Sequence, residues 1–325
     1  MPKLTNFNLK IKQEMKQVVY RLFGNRYIAR ARIFRLRHTK ILTILNLHRV
    51  CDFDCSAYPP LSIDLFRLLL VFLKEFYTII SFADLIACQD QNIEKPFLIL
   101  SFDDGYYDFY ENACPILAEH AVKVNQNIVP WCVDNQRPPL NVALQDFIGK
   151  NKDYPKNLTI PGFIFCGNPQ VDSLSLSKFI KNRPISEQFA IRKDIQSQGI
   201  DLMPFETKMM GINQIKEISS IHEIGSHSFF HSNMSYESDN FFKEDLLRCN
   251  NWFLSNLGCL PDIFAFPNSD YTSKQLEILR EYGFDHILLV DDDFSRSSEH
   301  VHKRFGIDFT NKYSMRFQVT GKFAR

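Results

Sequence analysis

Short apolar runs recur along the chain, separated by longer stretches in which apolar positions fall every third or fourth residue. The short runs predict buried strands at 41–47 (ILTILNL), 97–102 (FLILSF), 124–129 (VNQNIV), 222–226 (HEIGS), 262–267 (DIFAFP) and 285–290 (DHILLV), with a seventh within 304–309. The longer stretches predict helices at 62–76, 107–120, 238–256 and 273–282, with Pro261 and Gly283 marking two boundaries. Strand and helix alternate, which argues for an α/β fold with parallel strands. About seven such units suit a closed barrel better than an open sheet. A barrel places its reactive side chains at the C-terminal ends of the strands. The segment from about 131 to 215 breaks the rhythm and reads as an insertion with helical pieces, expected to cover a groove above the barrel.

Composition changes this picture in two places. Residues 1–40 hold eleven Lys or Arg against one acid, Glu14, although the whole chain carries a formal charge of only +1. This predicts a basic helical arm on a mildly acidic body, with 41–325 as the barrel domain. The arm suits peripheral contact with an anionic membrane, or packing against the body with a solvated outer face. Eight cysteines are scattered without a CxxC pair, so reduced thiols are expected rather than a disulfide frame or a zinc knuckle. The most apolar window, LFRLLLVFLKEFYTII at 65–80, is interrupted by Arg67, Lys74 and Glu75 and reads as an amphipathic helix. With no apolar core after the basic N-terminus, the expected location is cytoplasmic, peripheral at the inner membrane face. No nucleic-acid partner is expected, and the oligomeric state is open.

The run FLILSFDDG ends on adjacent carboxylates, Asp103 and Asp104. Two like charges at the end of a buried strand cost free energy unless a cation or a proton shares them. HSFFH, after the strand at 222–226, spaces His227 and His231 four apart, as on one face of a helical turn. Two imidazoles and a carboxylate make a facial ligand set for a divalent metal with positions left open.

With these residues in view, the chain resembles the polysaccharide deacetylases, a carbohydrate esterase family. SFDDG resembles their first motif and HSFFH their second, H-[S/T]-x-x-H. LNLHRV at 45–50 is similar to the first strand of bacterial members, FAFPNSDY at 264–271 to the third motif, and HKRFGID at 302–308 to the closing segment. The resemblance implies a distorted (β/α)7 barrel of the glycoside hydrolase and deacetylase type. It implies that Asp104, His227 and His231 hold a divalent metal, expected to be zinc, with cobalt, nickel or manganese also suited to the set. Asp103 would act as general base toward the attacking water. Backbone N–H groups near FAFPNSDY could serve a developing oxyanion.

The chain also departs from the family pattern. Where relatives carry an arginine that contacts the base, this sequence has Phe264 and Ala265; Arg304, in the closing segment, is the candidate substitute. No histidine stands at the end of LLVDDD to protonate a leaving amine; His302 is the candidate acid, with His300 and His48 as other nearby possibilities. Tyr106, Tyr107, Trp131, Pro267, Asn268 and Tyr271 are candidate sugar contacts. The expected function is removal of N-acetyl groups from a sugar of a polysaccharide, oligosaccharide or lipid-linked envelope glycan. Two other readings stay open: a non-catalytic glycan-binding barrel, and an amidohydrolase acting on a small non-sugar amide.

Overall fold

A computed structural model describes residues 14–37, 39, 41–88 and 94–322. Its centre is one ten-stranded sheet. The strands are β1 (Ile41–Leu47), β2 (Thr78–Ile79), β3 (Phe97–Phe102), β4 (Asn125–Ile128), β5 (Glu223–Ser226), β6 (Ile263–Ala265), β7 (His286–Leu289), β8 (Ser295–Arg296), β9 (Val301–Lys303) and β10 (Phe305–Gly306). They run in the order β10-β1-β3-β4-β5-β6-β7-β9, all parallel along this path, with β2 beside β3 and β8 antiparallel to β1. The two ends of the order are consecutive in sequence. Residues 301–303 pair with β7 and residues 305–306 pair with β1, so the last strand closes the sheet into a barrel, as the strand pattern predicts.

Alternation within each strand divides its side chains between two cores. Leu42, Ile44, Phe97, Ile99, Ile263, Ala265 and Leu288 point inward. Ile80, Phe82, Leu85 and Cys88, in the segment after β2, join them and seal the barrel floor. Leu45, Leu47, Leu98, Leu100 and Phe102 point outward against Phe66, Leu69, Leu70 and Leu73 of the helix Ile63–Phe76. That helix starts where the Ser62 side chain accepts from Leu65 N, and it buries the apolar face of the 65–80 window. On the opposite side, Phe264, Phe266, Ile287 and Leu289 pack on Phe242, Leu246 and Ile278. Among the described residues, no helix is long and apolar enough to cross a membrane.

Higher in the barrel the inward positions turn polar: Asn46, Ser101, Asn125 and Asn127 are all buried. The insertion is a helical unit with its own apolar core, in which Leu144, Phe147, Ile148, Leu176, Ile180 and Ile195 meet. It is tied back at its end, where Tyr107 N donates to Lys208 O and Met210 N to Gly105 O.

The boundary expected near residue 40 is not a structural one. Ala29 and Ile33 of the helix Arg26–Leu36 belong to the main core, and the Tyr20 ring packs at a tilt on Phe317, 5.6 Å between centroids. Only the outer face of this helix pair is solvated. Lys3, Lys10, Lys12 and Lys40 of the basic segment lie outside the described residues.

His302 sits in the floor layer, fully buried, with Nε2 3.1 Å from His286 Nδ1 and Nδ1 3.4 Å from Ser295 Oγ. Burial, then the neighbouring His286, push its pKa down from 6.5 to about 3. Between those two values the unfolded chain binds a proton that the folded chain does not. This contribution to stability is therefore present above pH 6.5 and lost as pH falls, at up to about 1.4 kcal/mol per pH unit. His302→Gln is expected to make unfolding free energy, measured in denaturant from about pH 6.5 to 4.5, shallower by up to one proton. An unchanged slope would show that His302 does not stay neutral in the folded protein.

Candidate active site and metal centre

Asp103 continues the inward face of β3, and its N–H donates to Leu47 O at the end of β1. Asp104 then turns left-handed at φ 77°, followed by Gly105 at φ 86°. Aspartate tolerates that region and glycine prefers it, so consecutive carboxylates reach one site instead of opposite faces. Both are buried.

The two carboxylates have different partners. Asp103 Oδ1 accepts from Arg304 Nη1 at 2.8 Å and Asn127 Nδ2 at 2.8 Å, and Oδ2 accepts from Arg304 Nη2 at 2.9 Å. Arg304 is fully buried at the crossing from β9 to β10, and Nη1 also donates to Ser101 Oγ. Burial opposes charge on Asp103, but Arg304, with His227, offsets it and holds the carboxyl well below the usual range. The guanidinium that the third motif lacks is thus supplied from the closing strand, 201 positions away.

Asp104 Oδ1 is buried and accepts no hydrogen bond from a described residue. It lies 3.4 Å from His227 Nε2 and 3.3 Å from His231 Nε2. His227 Nδ1 lies 2.8 Å from Ala265 O, which fixes the tautomer with the proton on Nδ1 and leaves Nε2 free as a donor atom. Burial first, and the neighbouring His231, lower the His227 pKa to about 4, so the ring is neutral as metal ligation requires. The ligand atoms of Asp104, His227 and His231 lie within 4.8 Å of one another. Ligands about 2.0–2.1 Å from a tetrahedral ion sit about 3.3 Å apart. An orphaned carboxylate oxygen, free imidazole nitrogens and this spacing together fit a divalent cation.

HSFFH is not the helical turn that its spacing suggests. Ser228 and His231 are both left-handed, at φ 62° each, so a tight loop brings the two rings to 5.0 Å. Asp245 on the helix Asp239–Leu257 pins that loop, accepting from Phe229 N at 2.9 Å and Ser228 Oγ at 3.2 Å. Gly225 is required one turn earlier: a Cβ there would fall 2.2 Å from Asn127 Oδ1.

The other sequence candidates divide. His302 does not reach this site; it belongs to the floor, and its burial keeps it neutral, so it is no proton donor to the mouth. His300 bonds Asp285 O at the N-terminal end of β7. His48 does lie at the mouth, half-buried, 6.1 Å from the Tyr58 ring. Tyr106 is fully buried with an unpartnered hydroxyl beside Asp104, a wall and not an open platform. Trp131, at the start of the insertion, packs on Phe189 at 5.3 Å and its backbone N–H donates to Phe229 O in the histidine loop. Pro267, Asn268 and Tyr271 rim the mouth after β6, with Asn268 and Ser269 left-handed and Tyr271 stacked on Phe266.

Asn127, Ser101, Asp245 and Lys181 were not singled out by the sequence reading. Asn127 had a signal: VNQNIV alternates amide side chains with apolar ones. Lys181 had none. It ends the insertion helix Pro169–Lys181, half-buried, where burial lowers its pKa against the opposing pull of Asp104 and Asp270. Among the described residues no carboxylate lies within 4.0 Å of its ammonium.

Residues 188–287 match the model of the polysaccharide deacetylase family. The fold is that of the polysaccharide deacetylases. The matched segment includes HSFFH and FAFPNSDY but not SFDDG. Among solved structures, the chain is similar to the deacetylase PplD of Streptococcus pyogenes in complex with acetate, at 15% identity and TM-score 0.55, over 82% of this chain and 92% of that one. IcaB from Ammonifex degensii is similar at 17% identity and TM-score 0.55, over 87% and 97%. BC0361, a polysaccharide deacetylase from Bacillus cereus, is similar at 13% identity and TM-score 0.56, over 86% and 69%. No curated protein matches the chain by sequence.

The Asp103–Arg304 pair generates a quantitative expectation. Arg304→Met leaves a buried carboxylate without its cation and should cost about 3–5 kcal/mol of stability in denaturant titrations. Asp103→Asn combined with Arg304→Met should recover part of that loss, giving a coupling energy of about 1–3 kcal/mol. Strict additivity of the two changes would mean that the pair does not interact as the geometry indicates.

Proposed function

We propose that this protein is a metal-dependent hydrolase that removes acetyl groups from N-acetylated sugars of a glycan. The observation that carries the reading is the division of labour between adjacent carboxylates. Asp104 faces two histidines with a free oxygen, while Asp103 is ionised and held off that set by Arg304. Asp104, His227 and His231 would hold the cation, with zinc the ion that best suits this donor set. When bound, it would supply Lewis acidity toward an amide carbonyl and acidify water toward a pKa of about 7.

The chain's own residues do the rest. Asp103 accepts the proton of the attacking water, and the bidentate Arg304 contact keeps one carboxylate geometry through the transfer. The same contact lowers the basicity of Asp103, so its proton is readily handed on to the leaving nitrogen as the C–N bond breaks. Lys181 ends the insertion helix and Asp270, which accepts from Asn233 Nδ2, lies in the turn after β6; both would line the substrate cleft. They would donate to and accept from sugar hydroxyls. The family match and the fold of the similar structures support a glycan as substrate.

Acetate release from N-acetylglucosamine oligosaccharides should be abolished by a chelator and restored by a divalent cation. His227→Ala or His231→Ala should lose the bound metal and the activity together. Asp103→Asn should keep the metal and lose activity by about two to four orders of magnitude. Metal loss in Asp103→Asn would mean that the two aspartates have exchanged roles. Metal binding without any acetate release by the wild type would favour a glycan-binding barrel.

Lys181→Met should raise KM for the oligosaccharide by about ten- to a hundredfold, leaving metal content unchanged, because one hydrogen bond from a charged group contributes about 1.5–3 kcal/mol. An unaltered KM would remove Lys181 from the substrate cleft.

A further inference from the structure

The N-terminal helix pair, residues 14–23 and Arg26–Leu36, has two unlike faces. The inner face, with Tyr20, Ala29, Ile33 and Leu36, is buried against the barrel. The outer face exposes Met15 at 64%, Val18 at 56%, Leu22 at 58%, Tyr27 at 83% and Phe34 at 57%. Isolated exposed apolar residues need no explanation, but this many on one short segment do.

The charges on the same face are one-sided. Residues 14–37 hold seven Lys or Arg and one acid, Glu14. Arg26 reaches Glu75 and Lys16 reaches Asp308. Arg21, Arg30 and Arg35 are exposed and have no acidic partner among the described residues. Water favours the arginines but not the apolar side chains, and an apolar protein surface favours the reverse. A bilayer with anionic headgroups accommodates both, with apolar tips in the interface and guanidinium groups among the phosphates.

The position of this face relative to the mouth is informative. Glu14, Lys16, Gln17, Val18, Tyr20 and Arg21 border a surface cavity together with Gln170, Asp308 and Thr310. Asp308 and Thr310 also border a second cavity of about 240 Å³, lined by His48, Tyr58, Pro59, Leu61 and Phe309. The charged helix face therefore lies beside the cavity that includes His48 of the barrel mouth.

We infer that the outer face of the N-terminal helix pair seats the protein on an anionic lipid bilayer, with the barrel mouth next to that surface. The inference goes beyond the proposed hydrolysis and does not depend on it, because its test reads binding alone. The full chain should co-sediment with vesicles of phosphatidylglycerol and phosphatidylcholine, but not with pure phosphatidylcholine, and added salt should weaken the binding.

Arg21→Glu, Arg30→Glu and Arg35→Glu combined should weaken anionic-vesicle binding by at least about a hundredfold, since each basic residue near such a surface contributes about fivefold. Tyr27→Ser with Phe34→Ser should weaken it too, with unchanged thermal unfolding, because both side chains face outward. Lys193→Glu, Lys216→Glu and Lys243→Glu combined, the same charge change on other exposed surfaces, should bind like the wild type. Three results would overturn the inference: no binding by the wild type, equal loss in the control variant, or a dimer in light scattering that Tyr27→Ser with Phe34→Ser dissociates. The last would assign the face to a second copy of the chain.

Discussion

Two carboxylates cannot share one buried barrel mouth unless each has its own positive charge, and Arg304 provides the first of these. Its guanidinium grips Asp103 with both terminal nitrogens, in a place where water is excluded and the interaction is strong. The arginine stands where the last strand leaves β7 and joins β1, so one residue both neutralises the site and lies on the seam that closes the barrel. Ser101 and Asn127 complete the shell, and each is an inward position of an adjacent strand. With Asp103 satisfied, Asp104 is left as the carboxylate with a free oxygen, and that asymmetry gives the two neighbours separate chemistry.

The barrel grades from apolar to polar along its axis. Phe82 and Leu85 seal the floor among aliphatic side chains, and buried His302 sits there neutral beside half-buried His286. Toward the mouth, amides, hydroxyls and charges replace methyl groups. Several left-handed residues stand at the same end: Asp104, Ser228, His231, Asn268 and Ser269. Such conformations persist only when their surroundings over-determine them. Asp245 is one such support, fixing a loop that has no helical hydrogen bonds of its own. The insertion adds the outer wall. Its core is independent of the barrel's, yet Ile185 N bonds Glu237 just beyond the histidine loop, and Phe189 packs on Phe230 within that loop. Those contacts bring the end of the helix that carries Lys181 to the mouth.

Much of this was legible in the sequence. Seven strand segments, four helices and the barrel class follow from local periodicity, because a buried strand and an amphipathic helix each impose a repeat on consecutive residues. SFDDG and HSFFH were legible for a related reason. Each is a short loop attached to a strand end, so its ligands are neighbours in sequence. Tertiary structure decided what depends on distant segments meeting. Arg304 finds Asp103 across 201 positions, and the same closing strand sends His302 to the floor, a difference of two residues that no pattern announces. The histidine spacing fitted a helix, but Asp245 from the next helix holds a left-handed loop instead. The basic segment looked separable because its charges were visible, whereas Ala29 and Ile33 became core only when the barrel gave them a surface. Lys181 carried no signal at all, since a lysine at a helix end is ordinary until the fold carries that helix to a mouth lined with carboxylates. Sequence fixes what neighbouring residues must do to bury themselves; which remote charge each buried group meets is set by the closed barrel.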